Sequence, residues 1–195
     1  MFINHVDSAL ERLVRSRLPL PEDLGDVAFD TPDKDWAAQL TRITVNLYLY
    51  DIQRSSQPSR SPVRPPRANG DGEGAAPATF RRPQPMVQLA YLVSAWAGGP
   101  HDEHQLLSDL TSLFAGTEVL PAEITSSELS SSVHVSLGDD LNAGRELWQT
   151  IGGKLRPAVQ LRVTVAADTF DWEPLAPSVE RIEAMANRMP GSARG

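Results

Sequence analysis

Two long segments rich in β-branched and aromatic residues constrain the fold of this chain more than any other feature. At 41–51, apolar side chains alternate with polar and aromatic ones, and this period of two is typical of a β-strand. At 86–96, both sets of alternate positions are apolar, which is typical of a central strand covered on both faces. The sequence therefore predicts a β-sheet with the strand at 86–96 in its middle.

Shorter signals complete the expected secondary structure. Apolar residues at spacings of three and four predict helices at 2–14 and 106–114. A further helix through 147–151 is expected to start at Asp139 or Asp140 as its N-cap and to end at Gly152-Gly153. Short strands are expected at 27–31 and 133–137, and a last long strand with one face in water is expected at 159–165. This mixture predicts an α+β fold.

The composition argues against several classes of function. A chain of 195 residues can bury about 70% of its unfolded surface, and the absence of cysteine removes disulfides and thiolate chemistry. A formal net charge of -7 argues against general binding to nucleic acid or to anionic membranes. The stretch at 1–18 lacks the unbroken apolar core of a signal peptide, and no apolar run approaches about 20 residues, so we expect assembly in the cytoplasm.

Residues 53–82 interrupt the regular pattern with five prolines, three glycines, four serines and six arginines. Their net charge is +4, from six arginines and two acids. Because the whole chain carries -7, the rest of it carries -11. This composition predicts a flexible insertion without secondary structure. The segment lacks lysine, and no aromatic precedes Phe80, so a protein-docking arm is favoured over a nucleic-acid tether. The candidate contacts are Arg54, Arg60, Arg64, Arg67, Arg81 and Arg82.

The insertion lies inside one expected domain at 1–172, and residues 173–195 form an expected tail. Apolar residues at spacings of three and four predict a short amphipathic helix in this tail. Such a helix is marginal in isolation because its stability comes from packing its apolar face. We therefore expect this stripe to contact a partner, through Leu175, Val179, Ile182 and Met185.

No catalytic, cofactor or metal site is predicted with any strength. His101 and His104 are three residues apart and could share a metal ion, but no third ligand lies at a diagnostic spacing. With Asp102 and Glu103 they are better explained as the first turn of a helix, where acids favour the helix dipole. The alternative is a small hydrolase or a metal-dependent enzyme centred on these histidines.

Several aromatic residues of the strands and helices could in principle form a ligand-stacking pocket. Aromatics at strand edges are more often packed in the core or at its rim, and core packing is the expectation here. The residues concerned are Tyr48, Tyr50, Tyr91, Trp96 and Trp148.

Four segments in this order are similar to one protein family. They are Leu49-Tyr50-Asp51-Ile52, the run Tyr91-Leu92-Val93-Ser94-Ala95-Trp96, the stretch Glu103-His104-Gln105-Leu106-Leu107, and Leu147-Trp148 leading through Arg156-Pro157 into a strand. Together they resemble the N-terminal domain family of the cap, or tube-terminating, protein of contractile injection systems. These systems are the phage-tail-like particles that bacteria build.

The resemblance implies a fold and a role. The fold would be a mixed β-sheet flanked by helices, similar to phage tail terminators. The role would be a homohexameric ring that closes the inner tube at the end distal to the baseplate and anchors the sheath. The implied partners are other copies of the chain, the inner tube protein and the sheath protein, with no nucleic acid and no membrane. The alternative within the same particle is a baseplate or tail-completion component.

Overall fold

The computed structural model describes residues 2–18, 20, 23–59, 63–64, 67–68, 75–76, 78–125, 129–138 and 143–175. The helices in these ranges are α1 (Phe2–Arg17), α2 (Lys34–Gln39), α3 (Pro100–Ala115) and α4 (Ala143–Thr150). The longer strands are β1 (Gly25–Ala28), β2 (Ile43–Arg54), β7 (Met86–Trp96), β8 (His134–Leu137) and β9 (Val159–Ala166). The two-residue strands are β3 (Val63–Arg64), β4 (Arg67–Ala68), β5 (Ala75–Ala76), β6 (Thr79–Phe80) and β10 (Glu173–Pro174).

The longer strands form one mixed sheet in the order β1-β2-β7-β9-β8. β1 runs parallel to β2, with α2 in the connection between them, and the other neighbours are antiparallel. The prediction that 86–96 forms the middle strand is confirmed. An α+β fold with a mixed sheet and flanking helices is the result.

A β-bulge interrupts the pairing of β2 with β7. Leu49 is opposite Tyr91 and Asp51 is opposite Ala90, so Tyr50 is the extra residue on the bulged strand. The Asp51 carboxylate accepts hydrogen bonds from the backbone N–H of Ile52 at 2.8 Å and from the Gln53 side chain at 2.6 Å. A bulge adds local twist to the strand. Tyr50 packs on the same face of the sheet as Tyr48, in the cluster that contains Trp96 and Trp148.

One face of the sheet is covered by α1 and α3. The sheet contributes alternate residues of β2, β7 and β9, such as Leu47, Tyr91 and Val163, and all three are fully buried. α1 buries the stripe that its helical spacing predicts, namely Val6, Ala9, Leu10, Leu13 and Val14. α3 adds Leu110 and Phe114. This is the main hydrophobic core of the chain.

The opposite face is covered only in part, by α2 and α4. β7 is buried on both faces from Tyr91 to Trp96, as expected, whereas Gln88 and Ala90 nearer its start are half-buried. The prediction that one face of β9 is exposed to water is wrong at Thr164, which is 6% exposed. Gln160, on the same face of β9, is half-buried, and its side chain lies close to the backbone of Gly138.

The structure corrects one sequence expectation, and a second falls on residues that it does not describe. The first short strand is Gly25–Ala28 and does not extend through 31, because the chain turns at 30–33 toward α2. There Asn46 of β2 donates a hydrogen bond to the Asp30 carbonyl at 2.9 Å. The expected N-caps Asp139 and Asp140 lie outside the described residues.

The insertion at 53–82 is not structureless where the structure describes it. Gln53 and Arg54 continue β2 and pair with β7. β4 pairs with β5, while β3 and β10 pair with the two sides of β6 to form a small three-stranded sheet. Composition could not predict these strands because each is only two residues long. The flexibility of the segment stays a prediction.

In the described part of the chain, no helix combines the length and apolar character required to cross a membrane.

Candidate assembly surfaces

Three tryptophans from three elements meet where β7 ends. Trp96 is the last residue of β7, Trp36 lies on α2 and Trp148 lies on α4. The ring centroids of Trp36 and Trp96 are 5.3 Å apart with an interplanar angle of 84°, and those of Trp96 and Trp148 are 6.3 Å apart at 62°. Edge-to-face pairs of this kind contribute about 0.5–1.5 kcal/mol each beyond burial. We call these residues the tryptophan cluster.

Arg156 closes the tryptophan cluster from the loop before β9. Its guanidinium carbon lies 4.0 Å from the centroid of the Trp96 ring. Its Nη1 also donates to Glu103 Oε1 at 3.0 Å, and the two side chains are 29% and 17% exposed. Glu103 in turn accepts from the backbone N–H of Ala97 at 3.4 Å. One planar cation thus joins the start of α3, the end of β7 and the loop before β9.

A groove of about 590 Å³ opens beside the tryptophan cluster. α2 forms one wall, the loop at 152–156 forms another, and Ile43 of β2 with Trp96 lies between them. Gly152, at the end of α4, has φ +71°, a left-handed conformation that glycine adopts at no steric cost. Most of the groove surface is apolar. Ile43, which is 41% exposed, adds to it.

Positive charge lines the rim of this groove. Lys34 and Lys154 line it from opposite walls, both side chains are exposed, and neither forms an ion pair within the described residues. The two acids of the lining are engaged elsewhere: Asp33 caps α2 by accepting from the Trp36 N–H at 2.8 Å, and Glu103 binds Arg156. The groove therefore presents an apolar floor and unpaired lysines to an incoming group.

The arginines that end the insertion lie at the opposite end of the sheet, beyond the start of β7. Arg81 pairs with Asp168 at 3.1 Å and lies 5.0 Å from the Trp172 ring centroid. Arg82 pairs with Glu173 at 2.9 Å. Both arginines therefore fasten the end of the insertion to 168–173, the segment that follows β9. We call the paired segments 78–85 and 167–175 the arginine ribbon.

A buried amide reinforces the arginine ribbon. Gln84 is 2% exposed, and its side chain accepts from the Phe170 N–H at 3.0 Å and donates to the Phe170 carbonyl at 3.1 Å. This pair of bonds replaces one step of a β-ladder. Asp168 has φ 47°, a left-handed value that aspartate tolerates better than most residues, and its pairing with Arg81 holds it there.

The remaining predicted contact residues have various positions. Arg54 ends β2 and is exposed, and Arg64 and Arg67 lie in the short strands β3 and β4. Leu175 follows β10 and is 45% exposed. The other predicted contacts, Arg60, Val179, Ile182 and Met185, lie outside the described residues. Contact of this set with a partner stays a prediction, and the groove beside the tryptophan cluster is a separate surface.

The histidines considered as metal ligands lie on the first turn of α3. His101 and His104 are both exposed. No group of three or more histidine, aspartate or glutamate side chains is arranged to hold a metal ion in the described part of the chain. Glu103, between them in sequence, points to Arg156 instead.

An electrostatic feature that the sequence did not suggest lies in the main core. The Tyr91 hydroxyl donates to Asp7 Oδ1 at 2.7 Å and joins β7 to α1. Burial raises the pKa of the Asp7 carboxyl, and the hydrogen bond from Tyr91 opposes that rise only in part. Burial, followed by the nearby Asp7 charge, raises the pKa of Tyr91 well above its ordinary value. The pair is a buried hydrogen bond that orients α1 on the sheet.

Sequence reasoning missed Trp36 and the pairing of Arg156 with Glu103. α2 has only six residues, too few for a helical period to show. The signal that could have found it is Asp33 directly after Pro32, an N-cap residue placed before a short apolar stretch. Of the five aromatics expected in the core, Tyr91 joins the main core and the other four pack around the tryptophan cluster.

Comparison with known proteins identifies the family. The model of the family described as the Pvc16 N-terminal domain matches residues 5–181. The chain belongs to the Pvc16 N-terminal domain family. Among curated protein sequences, none matches the chain.

Solved structures confirm the fold of this Pvc16 N-terminal domain. The chain is similar to the sheath/tube terminator of an extracellular contractile injection system, PVC, in its extended state, with a TM-score of 0.62 and 19% identity over 98% of this chain. It is also similar to the tube-terminating cap of the anti-feeding prophage, with a TM-score of 0.55 and 18% identity over 93% of this chain. The alignments cover 65% and 60% of those two chains, so this chain spans less than two thirds of their length.

The segments that carried the family resemblance converge in three dimensions. Tyr50 of the bulge, Trp96 at the end of β7 and Trp148 of α4 all belong to one hydrophobic cluster. Glu103 of the third segment and Arg156 of the fourth form the ion pair at its edge. In this Pvc16 N-terminal domain, each of the four segments therefore contributes at least one residue to the tryptophan cluster or its edge.

Proposed function

We propose that this chain is the terminating cap of a contractile injection particle, closing the inner tube and anchoring the sheath at the end distal to the baseplate. The observation that carries the proposal is the family match over residues 5–181, together with a fold shared with a sheath/tube terminator and a tube-terminating cap. The proposal assigns the chain a structural role without catalysis. Its partners would be other copies of the chain, the tube protein and the sheath protein.

Termination is a geometric task that suits a ring. Identical rings stacked head to tail have no intrinsic end, because each added ring presents the docking surface for the next. A cap must match the last tube ring on one side and present a different surface on the other. We propose a homohexamer for this ring, as the role of the family implies. The two ends of the sheet, with the tryptophan cluster and the arginine ribbon, supply the two dissimilar surfaces.

The charge distribution supports a docking role for the insertion. Residues 53–82 carry +4, whereas the rest of the chain carries -11. Arg81 forms an ion pair with Asp168, and Arg82 forms one with Glu173. The proposed contacts with an acidic surface of tube or sheath are therefore the other four arginines, Arg54, Arg60, Arg64 and Arg67. The ribbon then serves as a fixed base from which the rest of the insertion reaches the partner.

The function is tested by deleting the gene in the strain that makes the particle and imaging the products by electron microscopy. We expect tubes or sheaths of uncontrolled length, or no stable particles, and restoration by the wild-type chain. In complemented particles, the chain should appear as a six-fold ring at one end only. Deletion particles with normal length and normal contraction would refute the proposal, and a ring at the baseplate end would assign the chain to another component.

A further inference from the structure

Both lysines of this chain line the same groove. Among 18 basic residues, Lys34 and Lys154 are the only lysines. Lys34 begins α2 and Lys154 lies in the loop before β9, yet both line the groove beside the tryptophan cluster. Both side chains are exposed, and neither forms an ion pair with a described residue. The fold therefore brings both lysine ammonium groups to one surface.

The groove is a positive site on an acidic body. The charged residues of its lining are four cations, Lys34, Arg42, Lys154 and Arg156, and two acids, Asp33 and Glu103. Their sum is +2, whereas the chain outside residues 53–82 carries -11. Arg156 is paired with Glu103, and Arg42 faces Asp26 at 3.8 Å, so the two lysines supply the available positive charge. A negatively charged partner is attracted to this groove and repelled by most of the remaining surface.

Apolar side chains extend the contact surface beyond the groove. Leu155, next to Lys154, is 66% exposed, and Ile43 on the groove floor is also exposed. Leu24, which is 61% exposed, precedes the residue that pairs with Ile43. Exposed apolar side chains around a groove with a polar rim are typical of a protein interaction site. A small ligand inside the groove would leave Leu155 and Leu24 uncovered, which favours a polypeptide as the occupant.

The two segments of this chain that are expected to dock carry the wrong charge for this groove. Residues 53–82 have a net charge of +4. Residues 176–195 contain two acids and three arginines, a net charge of +1. Neither segment brings an excess of carboxylates to the two lysines. The complementary segment therefore belongs to a different protein.

We infer that the groove binds a short segment of a different protein, in which carboxylates flank a large apolar side chain. The apolar side chain lies on the groove floor beside Trp96 and Ile43, and the carboxylates face Lys34 and Lys154. In the particle of the proposed function, this protein is the tube or the sheath protein. The inference rests on the proposed function for that identity.

Carbodiimide crosslinking of purified particles tests the inference, because this reagent joins a carboxylate to an amine where the two groups touch. Since the chain has only two lysines, every amide on a lysine side chain reports a carboxylate at the groove. Mass spectrometry of the crosslinked peptides should identify one segment of another particle protein. We expect that segment to contain at least two acids with a large apolar residue between them or next to them.

Moving the amine separates contact at the groove from unspecific reaction. Lys34→Arg with Lys154→Arg keeps both charges and removes both reactive amines, so the crosslink should disappear while particles still assemble. The matched control adds Ala115→Lys to this double variant. Ala115 is exposed on the last turn of α3, about 18 Å along the helix from Glu103 of the groove lining. A lysine at this position should not restore the crosslink.

Leu155→Ser tests the apolar part of the contact. Because Leu155 is exposed, the substitution should leave the fold intact, which denaturant unfolding of the purified chain checks. It should lower the crosslink yield at least about fivefold, since a leucine side chain is no longer buried by the partner. Ile52→Ser is the matched control, because Ile52 is also exposed but lies at the other end of β2 from Ile43. Its yield should equal that of the wild type.

Any of three results would overturn the inference. The first is that the lysines form amides only with acids of this chain, its own or a second copy's, or form none. The second is a crosslinked segment that is basic or has no large apolar residue. The third is equal yield from Leu155→Ser and the wild type. Gene deletion decides the cap function separately: aberrant deletion particles without the crosslink refute only this contact, whereas the crosslink with normal deletion particles refutes only the cap function.

Discussion

Replacing Trp148 tests whether the tryptophan cluster is a second core of the domain. Trp148 is 1% exposed and packs edge-to-face on Trp96. Truncating a buried aromatic to alanine costs about 3–5 kcal/mol, from lost burial and the cavity left behind. Because domains have a free energy of unfolding of about 5–15 kcal/mol, Trp148→Ala should remove a large fraction of the stability.

The same side chain allows a sharper comparison. The indole Nε1 of Trp148 is buried and has no hydrogen-bond partner among the described residues. An unsatisfied buried donor costs about 1–3 kcal/mol, and Trp148→Phe removes that donor while keeping most of the ring. The loss of volume and the relief of this cost oppose each other. We therefore expect Trp148→Phe to lower the free energy of unfolding by less than about 2 kcal/mol.

The assay is denaturant unfolding followed by far-ultraviolet circular dichroism, since the substitution itself changes tryptophan fluorescence. Trp172→Ala is the matched control, because Trp172 is only half-buried and lies in neither hydrophobic cluster. It should cost about 1 kcal/mol through its contact with Arg81. Trp148→Ala within about 1 kcal/mol of the wild type would refute a second core. Equal losses for Trp148→Phe and Trp148→Ala would refute the cost assigned to the unpaired donor.

Further substitutions probe the ion pairs and the buried carboxyl. Arg156→Lys should lower the free energy of unfolding by about 1–2 kcal/mol in urea titrations, because lysine keeps the charge but not the planar stack on Trp96; an unchanged value would contradict the role of stacking. Burial raises the pKa of Asp7, so the folded state holds a proton that the unfolded state has lost, and stability falls as pH rises from the ordinary carboxyl pKa through the raised one. Asp7→Asn should flatten this slope in thermal melts and be at least as stable as the wild type at neutral pH, and a slope that persists would contradict the assignment. Arg81→Met should speed hydrogen exchange in 79–82 and 168–174 while β7 stays protected, whereas Arg54→Met, at an exposed site, should not; uniform loss of protection would show that the ribbon is part of the main core.

Elements long enough to repeat a hydrophobic pattern several times were predictable from the sequence. α1 repeats its apolar residues over four turns and β7 is apolar on both faces, so local pattern and tertiary burial agree. α2 has six residues and the strands of the insertion have two each, which is shorter than any period that a pattern can show. The bulge at Tyr50 was also hidden, because the extra residue is defined by the partner strand.

The candidate site was predictable in its parts and not in its arrangement. Trp96 and Trp148 were recognised as packed aromatics, but their contact depends on how α4 returns to the sheet. Glu103 and Arg156 are separated by 53 residues, and each has an ordinary local explanation as a helix-start acid or a loop cation. Only the fold brings them together over Trp96. Composition and charge drew attention to the insertion, but they could not show that two of its six arginines form ion pairs inside the chain.

The two candidate assembly surfaces lie at opposite ends of the central strand. β7 is the central strand, and its ten steps separate the tryptophan cluster from the arginine ribbon by about 33 Å. A strand buried between neighbours on both sides is a rigid spacer, so the groove and the arginine ribbon keep a fixed separation in every copy. Because the two ends differ in chemistry, a contact between opposite ends of neighbouring copies would join unlike surfaces. Such a heterologous contact closes into a ring when its rotation fits, and it extends into a filament when it does not.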